Sequence, residues 1–162
     1  MQIRRYRPGE EAALWALYAE TTHAVVAQAY TPAQVERWAP ADADTDASAE
    51  RLARTNPLVA VEGGRAVGFA ELEPDGHLDY VYAYHEWQGR GVGTALLHAV
   101  EAEARRAGLD VLHAEVSLTA AAFFRARGFE VTGEREPVVC GAPAKQYLMR
   151  KRVGTSGATK QT

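Results

Sequence analysis

A glycine-rich loop between a strand and a long helix constrains this chain more than any other feature. The loop runs from Gln88 to Thr94 as QGRGVGT, after a strand predicted over 77–84 and before a helix predicted over 94–107. The first N–H groups of a helix have no partner within it and lie at the positive end of the helix dipole, and glycine lets an anion approach them closely. This pattern predicts a binding site for a phosphate-bearing cofactor.

Two common phosphate-binding motifs do not fit this loop. A dinucleotide-binding G-x-G-x-x-G that began at Gly89 would need glycine at Thr94, and a P-loop would need Gly-Lys-Ser/Thr at its end. The sequence therefore indicates neither motif. A nucleotide-binding α/β protein of another kind stays open as one interpretation, and it predicts that ATP or NAD competes for the loop.

Hydrophobic periodicity and turn residues predict a mixed α/β chain. Pro and Gly punctuate the strands, and apolar residues at helical spacing mark the helices. The predicted elements are a strand at 2–7, a helix at 10–30 that breaks near Thr21-Thr22, helices at 31–39 and 46–56, strands at 58–61, 66–72 and 77–84, a helix at 94–107, a strand at 111–116, a helix at 119–127 capped by Thr119, a strand at 129–133 and a last strand within 145–152.

Composition favours one globular domain over 1–152, followed by a flexible Gly-, Ser- and Thr-rich tail at 153–162. The 162 residues are 47% hydrophobic and carry a net charge of -3, which disfavours disorder and a cationic nucleic-acid surface. The lone Cys140 excludes an internal disulfide. The sequence has neither a signal-peptide pattern nor a membrane-length apolar run, so we expect a cytoplasmic protein with no membrane or nucleic-acid partner.

The loop also matches the pattern Q-x-x-G-x-G, and a second motif, FFRARGF at 123–129, places a short helix before Gly-Phe. With these two motifs in this order, the chain resembles the GCN5-related N-acetyltransferase (GNAT) family, as a small bacterial single-domain member, from the first strand to about residue 152. The resemblance implies a GNAT-like, mostly antiparallel central sheet of about seven strands. That sheet would be splayed between strands 4 and 5 and flanked by helices.

The resemblance further implies that acetyl-CoA is the co-substrate and lies in the gap of the sheet. A primary amine would attack the thioester directly in a ternary complex, and the N–H of Val81 would stabilise the oxyanion. The positions that the family pattern assigns to the cofactor are Val81, Tyr82 and Ala83 on the strand, Gly89, Arg90, Gly91, Val92, Gly93 and Thr94 in the loop, and Ser117 and Phe124 beyond it.

The proton donor departs from the family pattern. Many members have a tyrosine in the helix before Gly-Phe, but this chain has Phe124, which has no proton to donate. Tyr82, Ser117 and Tyr147 are the candidate acids, with Tyr82 preferred, unless CoA leaves as the thiolate.

The candidate bases are carboxylates on the third and fourth strands: Asp79, which is preferred, and Glu71 and Glu73. Regular strand alternation would separate Asp79, on a face with Val81, from Tyr82 on the other face. A bulge would change that arrangement.

The helices that roof the acceptor site in the family carry three candidate acceptor-binding residues, His23, Tyr30 and Trp38, and Glu73 is a fourth candidate. No metal site is expected, because the histidines form no H-E-x-x-H motif. The acidic residues Asp42, Asp44 and Asp46 lack the glycine and glutamate of a calcium loop, so we interpret them as a solvated loop.

The sequence thus predicts an acetyl-CoA-dependent N-acetyltransferase for a small-molecule amine, with a protein N-terminus or lysine as the next acceptor class. The alternative is a catalytically degenerate acetyl-CoA-binding sensor or partner module, an interpretation that the missing tyrosine leaves open. An exposed edge at the C-terminal strands would allow a homodimer.

Overall fold

The computed structural model describes residues 1–40 and 45–154, in which helices and strands follow the predicted order. The predicted tail at 153–162 lies outside the described residues except for its first two positions, as do Asp42 and Asp44. No helix within the described ranges is long and apolar enough to cross a membrane. The elements are β1 (Gln2–Arg5), α1 (Glu11–Val25), α2 (Pro32–Trp38), α3 (Thr45–Thr55), β2 (Leu58–Glu62), β3 (Arg65–Leu72), β4 (Leu78–Ala83), α4 (Val92–Arg106), β5 (Val111–Ser117), α5 (Ala121–Ala126), β6 (Glu130–Arg135), β7 (Val138–Val139), β8 (Ala142–Pro143) and β9 (Gln146–Arg152).

Two antiparallel sheets make up the centre of the molecule. The first has the strand order β1-β2-β3-β4, and the second has the order β5-β9-β6. The sheets meet at a parallel bridge between His77 and His113, where the N–H of His113 donates to the carbonyl of Gly76 at 3.1 Å. Beyond this bridge β4 and β5 diverge, which confirms the mostly antiparallel sheet splayed between the fourth and fifth strands.

Helices cover the two faces of the first sheet because its strands carry apolar residues on both faces. Strand alternation places the buried Ala60 under α4, with Leu96, and the adjacent Val59 under α1, with Leu14 and Phe69. α4 packs a continuous apolar stripe on the first sheet. This packing fixes the start of the helix beside the open edge of β4.

Two local predictions need correction, and one hairpin was missed. α1 does not break at Thr21-Thr22 but continues to Val25, because both threonines are buried against the sheet. Thr119 does not cap α5; the hydroxyl of Ser117 accepts from the N–H of Ala120 at 3.3 Å instead. The hairpin formed by β7 and β8 was not predicted, because two-residue strands leave no periodic pattern.

That hairpin is held by one buried amide. Gln34, on α2, is 1% exposed, and its Nε2 donates to the carbonyl of Ala142 at 2.9 Å and to that of Val139 at 3.2 Å. Its backbone N–H also donates to the hydroxyl of Thr31, which caps α2. One side chain therefore joins α2 to the segment between β6 and β9.

We expect Gln34→Leu to lower the free energy of unfolding by about 2 kcal/mol or more, because buried carbonyls lose their donor. Thr31→Ala is the matched control: it removes the cap of the same helix but keeps the amide, and should cost about 1 kcal/mol. Urea unfolding measures both values, and an equal or smaller loss for Gln34→Leu would contradict this role.

Candidate functional site

A cleft of about 780 Å³ opens where β4 and β5 separate. Its walls come from α1, β4, the glycine loop with the first turn of α4, the end of β5, and α5. The residues on its wall include Tyr18, Thr22, Tyr30, Trp38, His77, Asp79, Tyr80, Val81, Tyr82, Ala83, Gly89, Gly91, Val92, Gly93, Thr94, Glu115, Ser117, Phe123, Phe124, Arg127 and Arg135.

Among the described residues, the edge of β4 that faces the cleft pairs with no other strand beyond the His77–His113 bridge, so its backbone donors are open. The N–H of Tyr84 donates to the carbonyl of Val67 on β3 at 2.8 Å. Because N–H groups alternate between the two edges of a strand, those of Val81 and Ala83 point to the other edge, where β5 has moved away. This edge can therefore bind an extended ligand through the backbone.

The three glycines of the loop have two different roles. Gly89 and Gly91 adopt positive φ angles of 76° and 81°, which disfavour a side chain. Gly91 is the N-cap residue of α4. Gly93 lies so close to the ring of Phe123 that an added Cβ would be 2.8 Å from it. The loop thus exposes the positive end of a 15-residue helix to the cleft.

Arg127 adds a positive charge beside this loop. Its Nε and one terminal nitrogen donate to the hydroxyl of Thr94 at 2.8 and 2.6 Å, and its other terminal nitrogen donates to the carbonyl of Phe123 at 3.0 Å. Within the described residues its contacts are a hydroxyl, a carbonyl and an aromatic ring, none of them negatively charged. Two of its five N–H donors stay available for an anion.

Arg127 is the residue that sequence reasoning missed. It stands inside the FFRARGF motif, but nothing in the motif tells which of its two arginines turns back toward the loop. By contrast, Arg90 lies in the loop, yet its guanidinium stacks on the ring of Trp87 at 4.8 Å and is not on the cleft wall. Only the backbone N–H of Arg90 stays a candidate for contact with the cofactor.

The wall opposite β4 is formed by the end of β5 and by α5. Ser117 lines the cleft, and its hydroxyl lies 3.1 Å from that of Thr119. Phe124 is 6% exposed and packs edge-on against Phe129. Tyr147, the third candidate acid, is absent from the cleft wall and contacts Arg125 instead.

A bulge in β4 changes which side chains share a face. Glu71 of β3 pairs with Tyr80, but Leu72 pairs with Leu78, so Asp79 is the extra residue. The regular alternation that would separate Asp79 from Tyr82 therefore does not hold here, because the strand has the bulge that the sequence left open. Beyond the bulge Tyr80 and Tyr82 face α1, whereas Val81 faces α4.

Arg51 connects two of the three candidate carboxylates. One of its terminal nitrogens donates to Glu71 at 2.7 Å and to Asp79 at 2.8 Å, and its guanidinium lies 4.5 Å from the ring centroid of Tyr80. Burial raises the pKa of Glu71 to about 7, although the charge of Arg51 opposes this shift. Glu71 is 1% exposed and lies behind the cleft wall, whereas Asp79 is 41% exposed and lies on it.

Tyr82 has its ring edge-on to that of Tyr18, with 5.0 Å between the ring centroids. Burial raises its pKa well above the usual value for a phenol, so Tyr82 keeps its proton at neutral pH.

Two of the four candidate acceptor-binding residues line the cleft, and two do not. Tyr30 and Trp38 line the cleft, but the hydroxyl of Tyr30 donates to the carbonyl of Lys145 at 2.6 Å. His23 does not line it, because its ring turns to the carbonyl of Ala39 at 3.0 Å. Glu73 does not line it either, because its carboxylate binds His77.

Donor atoms of Glu73, His77 and Asp79 lie within 4.8 Å of one another, a spacing compatible with a metal ion. Their present contacts are with protein groups, however. His77 Nδ1 bonds Glu73 at 2.8 Å, His77 Nε2 bonds Glu115 at 2.5 Å, and Asp79 bonds Arg51. In this structure the cluster is therefore an ion-pair network.

Comparisons with known proteins agree with this geometry. Residues 26–150 match the family model described as an acetyltransferase (GNAT) domain. An aminoglycoside N(6')-acetyltransferase from Stenotrophomonas maltophilia is 36% identical over 130 residues, with 63% of this chain and 84% of the relative covered.

Two solved structures also match. A GCN5-related N-acetyltransferase from Rhodopseudomonas palustris has a TM-score of 0.86 at 33% identity, with 93% of this chain and 94% of that chain covered. The Salmonella typhimurium protein yncA, solved with its cofactor acetyl-CoA, has a TM-score of 0.72 at 26% identity, with 100% of this chain and 99% of that chain covered.

Proposed function

The chain belongs to the GNAT family of acetyltransferases, and from this membership we propose that it transfers the acetyl group of acetyl-CoA to a primary amine of a small molecule. The observation that carries the proposal is the cleft between β4 and β5. There, free backbone donors on one wall lie beside the positive start of α4.

Acetyl-CoA fits this cleft as an extended, anionic ligand. Its pantetheine arm carries amide groups that pair with the open edge of β4, at Val81 and Ala83. Its pyrophosphate is suited to the N–H groups of the loop from Gly89 to Thr94, with Arg127 supplying a side-chain cation. The structure of yncA with acetyl-CoA supports this co-substrate.

Transfer then needs no covalent intermediate on the enzyme. The amine nitrogen forms a bond to the thioester carbon, and the C–S bond breaks as the tetrahedral intermediate collapses. The N–H of Val81 donates to the oxygen while it carries negative charge. Asp79 takes the proton of the incoming ammonium, directly or through water, and Tyr82 gives a proton to the departing sulfur.

A small amine is the acceptor that the cleft supports best. Carboxylates and aromatic rings together suit an ammonium group, and the acceptor end has Asp79 beside Tyr80 and Tyr18. The name of the S. maltophilia relative, an aminoglycoside acetyltransferase, agrees with a small-molecule amine.

One observation favours a second candidate function. Phe124 stands where many family members have the donor tyrosine, so the chain would be a sensor that binds acetyl-CoA without turnover if no other group replaces that donor. Release of CoA in the presence of amines separates the enzyme from the sensor.

The proposal is tested by calorimetric titration with acetyl-CoA, followed by a thiol-release assay over a panel of amines. Gly91→Asp and Gly91→Asn are a matched pair, because both side chains tolerate positive φ and only one is charged. We expect Asn to keep most of the affinity and Asp to weaken it by roughly tenfold or more through repulsion of the pyrophosphate. Equal affinities for the pair, or no binding by the wild type, would contradict the proposal.

Arg127→Gln should weaken acetyl-CoA binding by about tenfold, because a charge-assisted contact to phosphate is lost. S-acetylpantetheine, which has no phosphate, is the matched ligand and should bind the wild type and the variant equally. A parallel loss for both ligands would show that Arg127 acts only by holding Thr94.

Tyr82→Phe should reduce kcat by roughly 10² with little change in the dissociation constant of acetyl-CoA, because only proton transfer to sulfur is removed. Tyr147→Phe, which changes a tyrosine away from the cleft wall, should leave kcat near the wild-type value. If the two variants have equal kcat, Tyr82 is not the donor.

A further inference from the structure

The two antiparallel sheets meet at the bridge between His77 and His113, and His77 lies on the β4 side of that bridge. Within residues 1–40 and 45–154, the His77–His113 bridge is the backbone pairing that connects β4's side of the sheet to β5. The side chain of His77 reinforces that contact. It bonds Glu73, at the start of the turn after β3, and Glu115, on β5.

The imidazole therefore links the two sides of the cleft through its hydrogen bond to Glu115. We call His77 with its bonds to Glu73 and Glu115 the clasp. The imidazole Nε2 lies 2.5 Å from Glu115, and this residue and His77 both line the cleft. Two residues further along β5 lies Ser117, which is also on the cleft wall. The residue that His77 binds on β5 therefore lies on the strand that forms the opposite wall of the cleft.

The charge environment favours a protonated clasp. The groups that face His77 are Glu73 and Asp75 from the preceding turn, Asp79 from β4 with Arg51 of α3 bound to it, His113 and Glu115 from β5, and Arg135 of β6, which lies 3.8 Å from Glu115. Burial alone would lower the pKa of His77, but the hydrogen bonds to Glu115 and Glu73 outweigh burial and raise it to about 9.

We propose that His77 is a positioning residue whose imidazolium clasps Glu73 and Glu115 and so holds β4 and β5 at the spacing that acetyl-CoA requires. This inference rests on the proposed function, because it concerns the same cleft. A neutral imidazole has one N–H and can donate to only one of the two carboxylates. Loss of the proton therefore breaks one of the two hydrogen bonds that His77 makes.

The direction of the pH effect follows from the raised pKa. The clasp is fully formed at neutral pH and is lost as the pH rises through about 9. If only the protonated form binds well, about nine tenths of the protein is competent at pH 8 and about one tenth at pH 10. The apparent dissociation constant of acetyl-CoA then rises by roughly tenfold over that interval.

The test is calorimetric titration with acetyl-CoA at several pH values from 7.5 to 10. The wild type should show the rise. His77→Gln should bind weakly at pH 8 and show no further rise, whereas His77→Arg, which stays charged throughout, should bind as tightly at pH 10 as at pH 8. His113→Gln is the matched control, because its ring stacks 5.2 Å from that of His77 without forming the clasp, and it should keep the wild-type profile.

Two results would overturn the inference while leaving the proposed function intact: a wild-type affinity that is constant up to pH 10, or the same rise in His77→Gln. If His77→Gln does not fold, the comparison of the wild type with His77→Arg decides between the outcomes. A wild type that binds no acetyl-CoA at pH 8 refutes the proposed function, and the inference with it.

Discussion

The structure depends on the point where the backbone pairing between β4 and β5 ends. β4 and β5 bond through the backbone at His77 and His113 and then diverge, so the facing edges of two central strands lack each other as partners. Backbone N–H and C=O groups that lie away from water need hydrogen bonds, and a cleft lined by such groups binds an extended ligand with matching amides. The apolar stripe of α4 packs on one face of the first sheet, and α1 packs on the other.

The cleft is electrically polar from one end to the other. The start of α4 and the guanidinium of Arg127 make the loop end positive, which suits phosphate. The other end carries the carboxylate of Asp79, which is paired with Arg51. Aromatic rings from α1 and β4 separate the two ends. In the proposed reaction, the positive end binds the phosphates of acetyl-CoA and the other end receives the amine.

Much of this arrangement could be predicted from the sequence, because its signals are local. The QGRGVGT loop and the helix after it each follow from glycine conformation and periodicity within a few residues. The bulge at Asp79 could not be predicted, since it depends on how β3 and β4 pair. The direction of Arg127 toward Thr94 could not be predicted either, because it depends on the packing of α5 against the start of α4. The sequence thus allowed most residues of the site to be predicted. It did not allow us to predict which of their side chains point to the same face.

The central claim is that acetyl-CoA binds along the open edge of β4. The most direct test is residue-resolved amide hydrogen exchange with and without acetyl-CoA, followed at Val81 and Ala83 against Tyr84, whose N–H is already bonded to Val67. The account predicts strong slowing of exchange at Val81 and Ala83, together with the loop from Gly89 to Thr94, and little change at Tyr84. Tight binding that leaves the exchange at Val81 and Ala83 unchanged would contradict it.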